Sequence, residues 1–171
     1  MSIFTRRRRV RLSRHRTAAG PFGPVRISRD RRPSVLAHVE GPGIPAVTVL
    51  PGRDLSVNGE RAPTGRDVGR WWDPRRKART CTARVGDRGY ELRPTGLFRA
   101  RLLRDGTPIA TAHGGLRSYS PVRSHPGIDA RLDWSSGADP TDVAVGQAMV
   151  IAFGAGAPGA LTRVLLFWLD V

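Results

Sequence analysis

The sequence predicts a mainly β fold, an antiparallel barrel or sandwich that encloses or packs on one hydrophobic helix near the C-terminus. Three observations carry this. Twenty Gly and 14 Pro make up a fifth of the 171 residues, and both residue types break helices, which argues against a long-helix bundle. Apolar residues recur with period two between turn-forming dipeptides, the spacing of half-buried strands. One segment after residue 139 is apolar on every side, which a helix tolerates only when protein or lipid surrounds it. At ~100 to 200 residues per domain the length gives one domain: a basic arm or first strands over 1–32, then a single β-rich domain over 33–171.

Taken in order, Pro24–Ser28, Ser34–Val39 and Ala46–Leu50 each have the length and β-branched content of a strand. Asp54–Val57 meets Asn58-Gly59, the dipeptide that supplies positive φ at both centres of a type I′ hairpin turn, and Pro63 then limits the returning strand. Between residues 79 and 112 the pattern is clearest. A strand around Cys81, Ala83 and Val85 leads through Gly86–Gly89 to Tyr90–Arg93, then through Pro94-Thr95-Gly96 to Phe98–Leu102. There Phe98, Ala100 and Leu102 take one face and Arg99 and Arg101 the other, and Asp105-Gly106 turns the chain back through Ile109–Ala112. A further strand is expected at Ala130–Trp134.

The pattern changes at residue 139. Asp139 is a helix cap, Pro140 fits the first turn, Asp142 places negative charge near the positive end of the dipole, and Gly154 stops a helix over 140–153. At ~1.5 Å per residue it reaches about 21 Å, short of the ~30 Å of a bilayer core, so burial in protein is expected. A longer membrane span through residue 169 would have to take in Pro158, three Gly and Arg163. Residues 161–169 read either as a second helix or as a last strand.

The net charge is +15, and of 29 basic residues only Lys77 is Lys. A GC-rich coding bias accounts for Arg over Lys as readily as selection for the guanidinium fork does, but the surplus itself favours polyanions either way. It is uneven: residues 1–32 hold eleven Arg against the single acid Asp30. No apolar stretch follows the cluster Arg6, Arg7, Arg8 and Arg9, so neither a secretory nor a twin-arginine signal is expected. With one cysteine, Cys81, the chain has no internal disulfide, and a cytoplasmic, membrane-peripheral location is the expectation. Cys81 itself reads as a small buried hydrophobe.

Catalytic chemistry finds little support. His15, His38, His113 and His125 show no metal-ligand spacing, no nucleophile elbow or Walker loop is present, and no cofactor is implied. Asp129, Asp133, Asp139 and Asp142 read as solvated turns and caps. Gly154, Gly156 and Gly159 have dinucleotide-fingerprint spacing, but Val171 is reached before the required returning strand and acidic residue follow, so a small-residue linker is expected.

One constellation suits anion binding. Arg70, Trp71, Trp72, Arg75, Arg76 and Lys77 put two indoles beside four cations. Trp stacks on a base or sits at a headgroup boundary while Arg neutralises phosphate; alternatively one Trp plugs the end of a barrel and the cations are solvated rim.

The succession of basic, turn-rich strands, with the hairpin Tyr90–Ala110, ending in Asp139–Phe153 resembles, over residues 34–153 and by pattern only, the tubby C-terminal-like group, which includes phospholipid scramblases and LURP-one-related proteins. The resemblance implies a closed antiparallel barrel around the helix, with Val143, Val145, Met149, Val150 and Phe153 inside. No counterpart of the scramblase calcium-binding acidic run or of a tubby phosphoinositide site is present. The expectation from sequence is therefore a non-enzymatic binding module. Its first partner is an anionic membrane surface or lipid headgroup, met by Arg6–Arg9 and the Trp71 loop. Nucleic acid bound through the same residues is the alternative, and a protein-interaction domain is the third.

Overall fold

The computed structural model describes residues 9–11, 16–28, 37–66, 80–115 and 130–156. Strands β1 (Arg9–Arg11), β2 (Arg16–Gly20), β3 (Gly23–Ser28), β4 (Ala37–Gly41), β5 (Ile44–Val49), β6 (Leu55–Val57) and β7 (Glu60–Ala62) come first. They are followed by β8 (Thr64–Arg66), β9 (Cys81–Val85), β10 (Arg88–Pro94), β11 (Arg99–Arg104), β12 (Thr107–His113), β13 (Arg131–Trp134) and the helix α1 (Pro140–Phe153). The fold is mainly β, as the period-two pattern predicts.

The strands form two antiparallel sheets, one of seven strands in the order β1-β13-β12-β11-β10-β9-β8 and one of six in the order β2 to β7. Among the described residues no hydrogen-bonded ladder joins the sheets, so the arrangement is two layers packed on a helix and not one closed barrel. The chain passes from one layer to the other between β7 and β8 at Pro63, whose missing N–H suits a break in pairing. The type I′ turns lie where the dipeptides place them, with φ of 49° and 90° at Asn58 and Gly59, and 48° and 80° at Asp105 and Gly106. The turn expected over Gly86–Gly89 is shorter than read, because β10 already begins at Arg88.

Helix α1 is the core. Every residue from Asp142 to Ala152 is buried, and the helix touches β4, β5 and β6 of one sheet and β9, β10 and β12 of the other. Val143, Val145, Met149 and Val150 are fully buried, and Phe153 packs on the cluster half-buried. The inner faces that receive them are Val39, Val47, Val49 and Leu55 on one side, and Leu92, Ala100, Leu102, Ala112 and Leu132 on the other. Gly146 marks the tightest approach: a Cβ there would stand 2.4 Å from a Leu102 methyl and 2.7 Å from the Trp134 ring. Cys81 is buried as a strand residue in the same cluster.

Gln147 is the exception on the rod. It is fully buried, and among the described residues neither its amide oxygen nor its amide nitrogen has a hydrogen-bond partner. An unpaired buried polar group costs about 1–3 kcal/mol, whereas an apolar replacement of the same shape carries no such penalty. Gln147→Met is accordingly expected to raise the urea-unfolding free energy by about 1–2 kcal/mol. A lower unfolding midpoint would show that the amide has a stabilising role.

No helix among the described residues is long and apolar enough to cross a membrane.

Candidate anion-binding face

The seven-stranded sheet turns one face to α1 and the other outward, and the strand alternation decides which side chains go where. On β11, Ala100 and Leu102 are buried while Arg99 and Arg101 are exposed. On β13, Leu132 and Trp134 are buried while Arg131 is exposed. The register assembles the outward residues into rows. Arg99 stands opposite His113, and His113 opposite Arg131. In the next row Arg93 faces Arg101, Arg101 faces Thr111, and Thr111 faces Asp133. Opposed residues have Cβ atoms about 4.5–5.5 Å apart, so Arg99, Arg101 and Arg131 share one continuous surface.

Its charge is uncompensated. Arg93 is committed to Glu91, through Nε at 2.6 Å and Nη2 at 2.5 Å. Asp133 Oδ2 lies 3.6 Å from His113 Nε2. The side chains of Arg99, Arg101 and Arg131 have no ion-pair or hydrogen-bond partner among the described residues. The six-stranded sheet is the contrast. On its outer face Arg26 stands opposite Glu40 with 3.7 Å between them, Arg61 pairs with Asp54, and His38 Nδ1 lies 3.0 Å from Thr48 Oγ1. The same Arg-rich composition thus yields a balanced face on one layer and a cationic one on the other.

Five polar side chains meet at the N-terminus of α1. Asp142, fully buried, accepts at Oδ1 from the Tyr90 hydroxyl (2.9 Å) and at Oδ2 from Arg104 Nη1 (2.6 Å) and the Asp139 N–H (2.9 Å). Asp139 closes the capping box by accepting from the Asp142 N–H (2.9 Å), and accepts Arg88 Nη1 at 2.5 Å and Arg104 Nη1 at 3.3 Å. Burial pushes the Tyr90 phenol well above its usual value, with Arg88 pulling the other way and Asp142 adding to the rise. The hydrogen bonds to Tyr90 and Asp139 raise Arg88 further above its already high value. Two guanidiniums meet two carboxylates, each group is spent on another, and the cluster ties the helix to β10 and β11. Sequence reading has Asp139 and Asp142 as solvated caps. Asp139 is a cap, but Asp142 is buried, because its carboxylate also receives Tyr90 and Arg104 from strands far away in the chain.

For Asp139, burial raises the pKa but is outweighed by the Asp142 N–H, Arg88 and Arg104, and the net shift is downward. A carboxyl depressed in the folded state contributes stability that is fully present above its unfolded value of about 3.9 and is lost as pH falls through the folded value. Asp139→Asn is therefore expected to flatten the fall in melting temperature below about pH 4 while lowering the neutral-pH plateau. An acid-side slope identical to that of the wild type would contradict this.

Of the residues singled out from sequence, Arg6, Arg7, Arg8, Arg70, Trp71, Trp72, Arg75, Arg76 and Lys77 lie outside the described residues. Arg9 falls on β1, in register with Asp133, and Arg11 is in register with Arg131. Residues 9–11 therefore form an edge strand of the seven-stranded sheet, next to β13. β8 and β9, which precede and follow residues 67–79 in the sequence, lie at the opposite end of the sheet order. Arg99, Arg101, His113 and Arg131 are not among the residues that the sequence singles out as a site, although the outward parity of Arg99 and Arg101 is readable there. Among the described residues no group of His, Cys, Asp and Glu could hold a metal ion. Comparison of the chain with protein-family models, curated proteins and solved structures gives no match.

Proposed function

We propose that this chain is a non-enzymatic module that binds an anionic membrane surface through the outer face of its seven-stranded sheet. The observation that carries the reading is the set Arg99, Arg101 and Arg131, three exposed cations whose side chains have no partner among the described residues, two on β11 and one on β13 with β12 between them. Arg101 also stands directly opposite Arg93 on β10; like charges directly opposite destabilise a sheet, and an anionic partner offsets that cost. Each basic residue near an anionic leaflet is worth about 1 kcal/mol. The three together give reversible, salt-sensitive attachment, to which the basic run Arg6–Arg9 adds if it meets the same surface.

A lipid surface suits this face better than nucleic acid. Tyr90 and Trp134 are buried, and no exposed Phe, Tyr or Trp stands among the outward residues of β9–β13. Bases therefore find no large aromatic platform there, whereas a headgroup layer requires only charge. Kinship with the tubby C-terminal-like group, which we propose from the helix packed between antiparallel sheets, adds support at the level of fold alone, since folds host many functions.

The test is cosedimentation with phosphatidylglycerol vesicles and with pure phosphatidylcholine vesicles over a salt series, beside single- and double-stranded DNA. Binding that needs phosphatidylglycerol and weakens with salt is expected. Tighter binding to DNA than to vesicles at matched salt would replace this reading with the nucleic-acid one.

A further inference from the structure

The centre of the basic row is not an arginine. His113 stands directly between Arg99 on β11 and Arg131 on β13. Its side chain is one-third exposed, at 32%. The charged groups that face it are Arg99 and, diagonally, Arg101 from β11, and Arg131 and Asp133 from β13. Its own strand contributes the uncharged Thr111 on that face. Beyond β13, β1 sets Arg9 and Arg11 in register with Asp133 and Arg131. Histidine is the side chain whose charge ordinarily changes between about pH 5 and 8.

We propose that His113 is a pH gate on this face, strengthening its attachment to an anionic surface as pH falls. The inference rests on the membrane-binding reading of the same face. With a neutral imidazole, the row carries no charge between Arg99 and Arg131. With an imidazolium, Nε2–H faces the Asp133 carboxylate across the 3.6 Å gap. The formal charge of Arg99, Arg101, Arg131, Asp133 and His113 together then rises from +2 to +3. The gate works by adding charge where two guanidiniums already stand, so it requires no movement of the strands.

The experiment is cosedimentation of the full chain with phosphatidylglycerol vesicles, whose phosphodiester stays ionised throughout, at about pH 7.5 and about pH 5.5, either side of the usual imidazole titration. Wild type is expected to bind about fivefold more tightly at the lower pH, the factor one added charge near an anionic leaflet carries. His113→Gln is expected to hold the weaker affinity at both values. His113→Arg is expected to hold the tighter one at both, which shows that charge at this position and not a structural role of the imidazole is being read. Binding by wild type that ignores pH, or a pH dependence that survives in His113→Gln, overturns the gate and leaves the membrane reading standing. No binding to vesicles at either pH overturns both.

Discussion

Replacing Arg99, Arg101 and Arg131 together by Gln is expected to weaken binding to phosphatidylglycerol vesicles about a hundredfold at low salt, at about 1 kcal/mol per lost charge near the leaflet. The three side chains are exposed and have no partner among the described residues, so no internal contact is lost. Surface changes of this kind normally stay within about 0.5 kcal/mol each, and here relief of like-charge crowding acts in the stabilising direction. The melting temperature is thus expected to hold while binding falls. The matching control is Arg26→Gln with Arg61→Gln on the six-stranded sheet, where each cation is already paired with an acid. Equal losses from the two sets would mean that net charge, and not this face, governs attachment. An unchanged affinity in the triple variant would move the binding site away from the sheet altogether.

The largest effect on stability is expected at Asp142. Asp142→Asn keeps the side-chain volume but replaces a carboxylate that three donors address: the Tyr90 hydroxyl, Arg104 Nη1 and the Asp139 N–H. Hydrogen bonds to charged groups contribute about 1.5–3 kcal/mol each, net of exchange with water. Arg104 is 28% exposed and recovers part of its loss in water, whereas the buried Tyr90 hydroxyl cannot. A loss of about 3 kcal/mol is the expected sum, close to the value for breaking one partner of a buried pair. In a chain of this length that lowers the melting temperature by about 10 °C. Tyr90→Phe removes only the phenol contact and is expected to cost about 1 kcal/mol. If Asp142→Asn cost no more than Tyr90→Phe, the guanidinium contact would contribute nothing and the cluster would be a simple cap.

Much of the architecture was legible because it is written locally. The hairpins at Asn58-Gly59 and Asp105-Gly106 follow from residues that accept positive φ, and the helix over Pro140–Phe153 follows from the Asp139 cap, Pro140 and the glycine stop at Gly154. That the helix must be wrapped follows from its having no polar face. The candidate face was only half legible. Alternation shows Arg99 and Arg101 on the polar side of one strand, and the Asp105-Gly106 turn leads β11 back into β12. Nothing near Arg131 in the sequence announces that β13 returns, after a long connection, to lie against β12.

The sequence by itself determined the class of the fold, the helix with its cap, the turn positions and the excess of positive charge, because each depends on neighbours within a few residues. Strand order was decided only by the tertiary structure. It sets His113 between two arginines drawn from separate strands, leaves one sheet face cationic while the other is neutralised pair by pair, and buries Asp142 beneath Tyr90 and Arg104. The reason is that Coulomb interactions and burial depend on distance through space, and pairing across a sheet brings together residues that chain separation cannot relate.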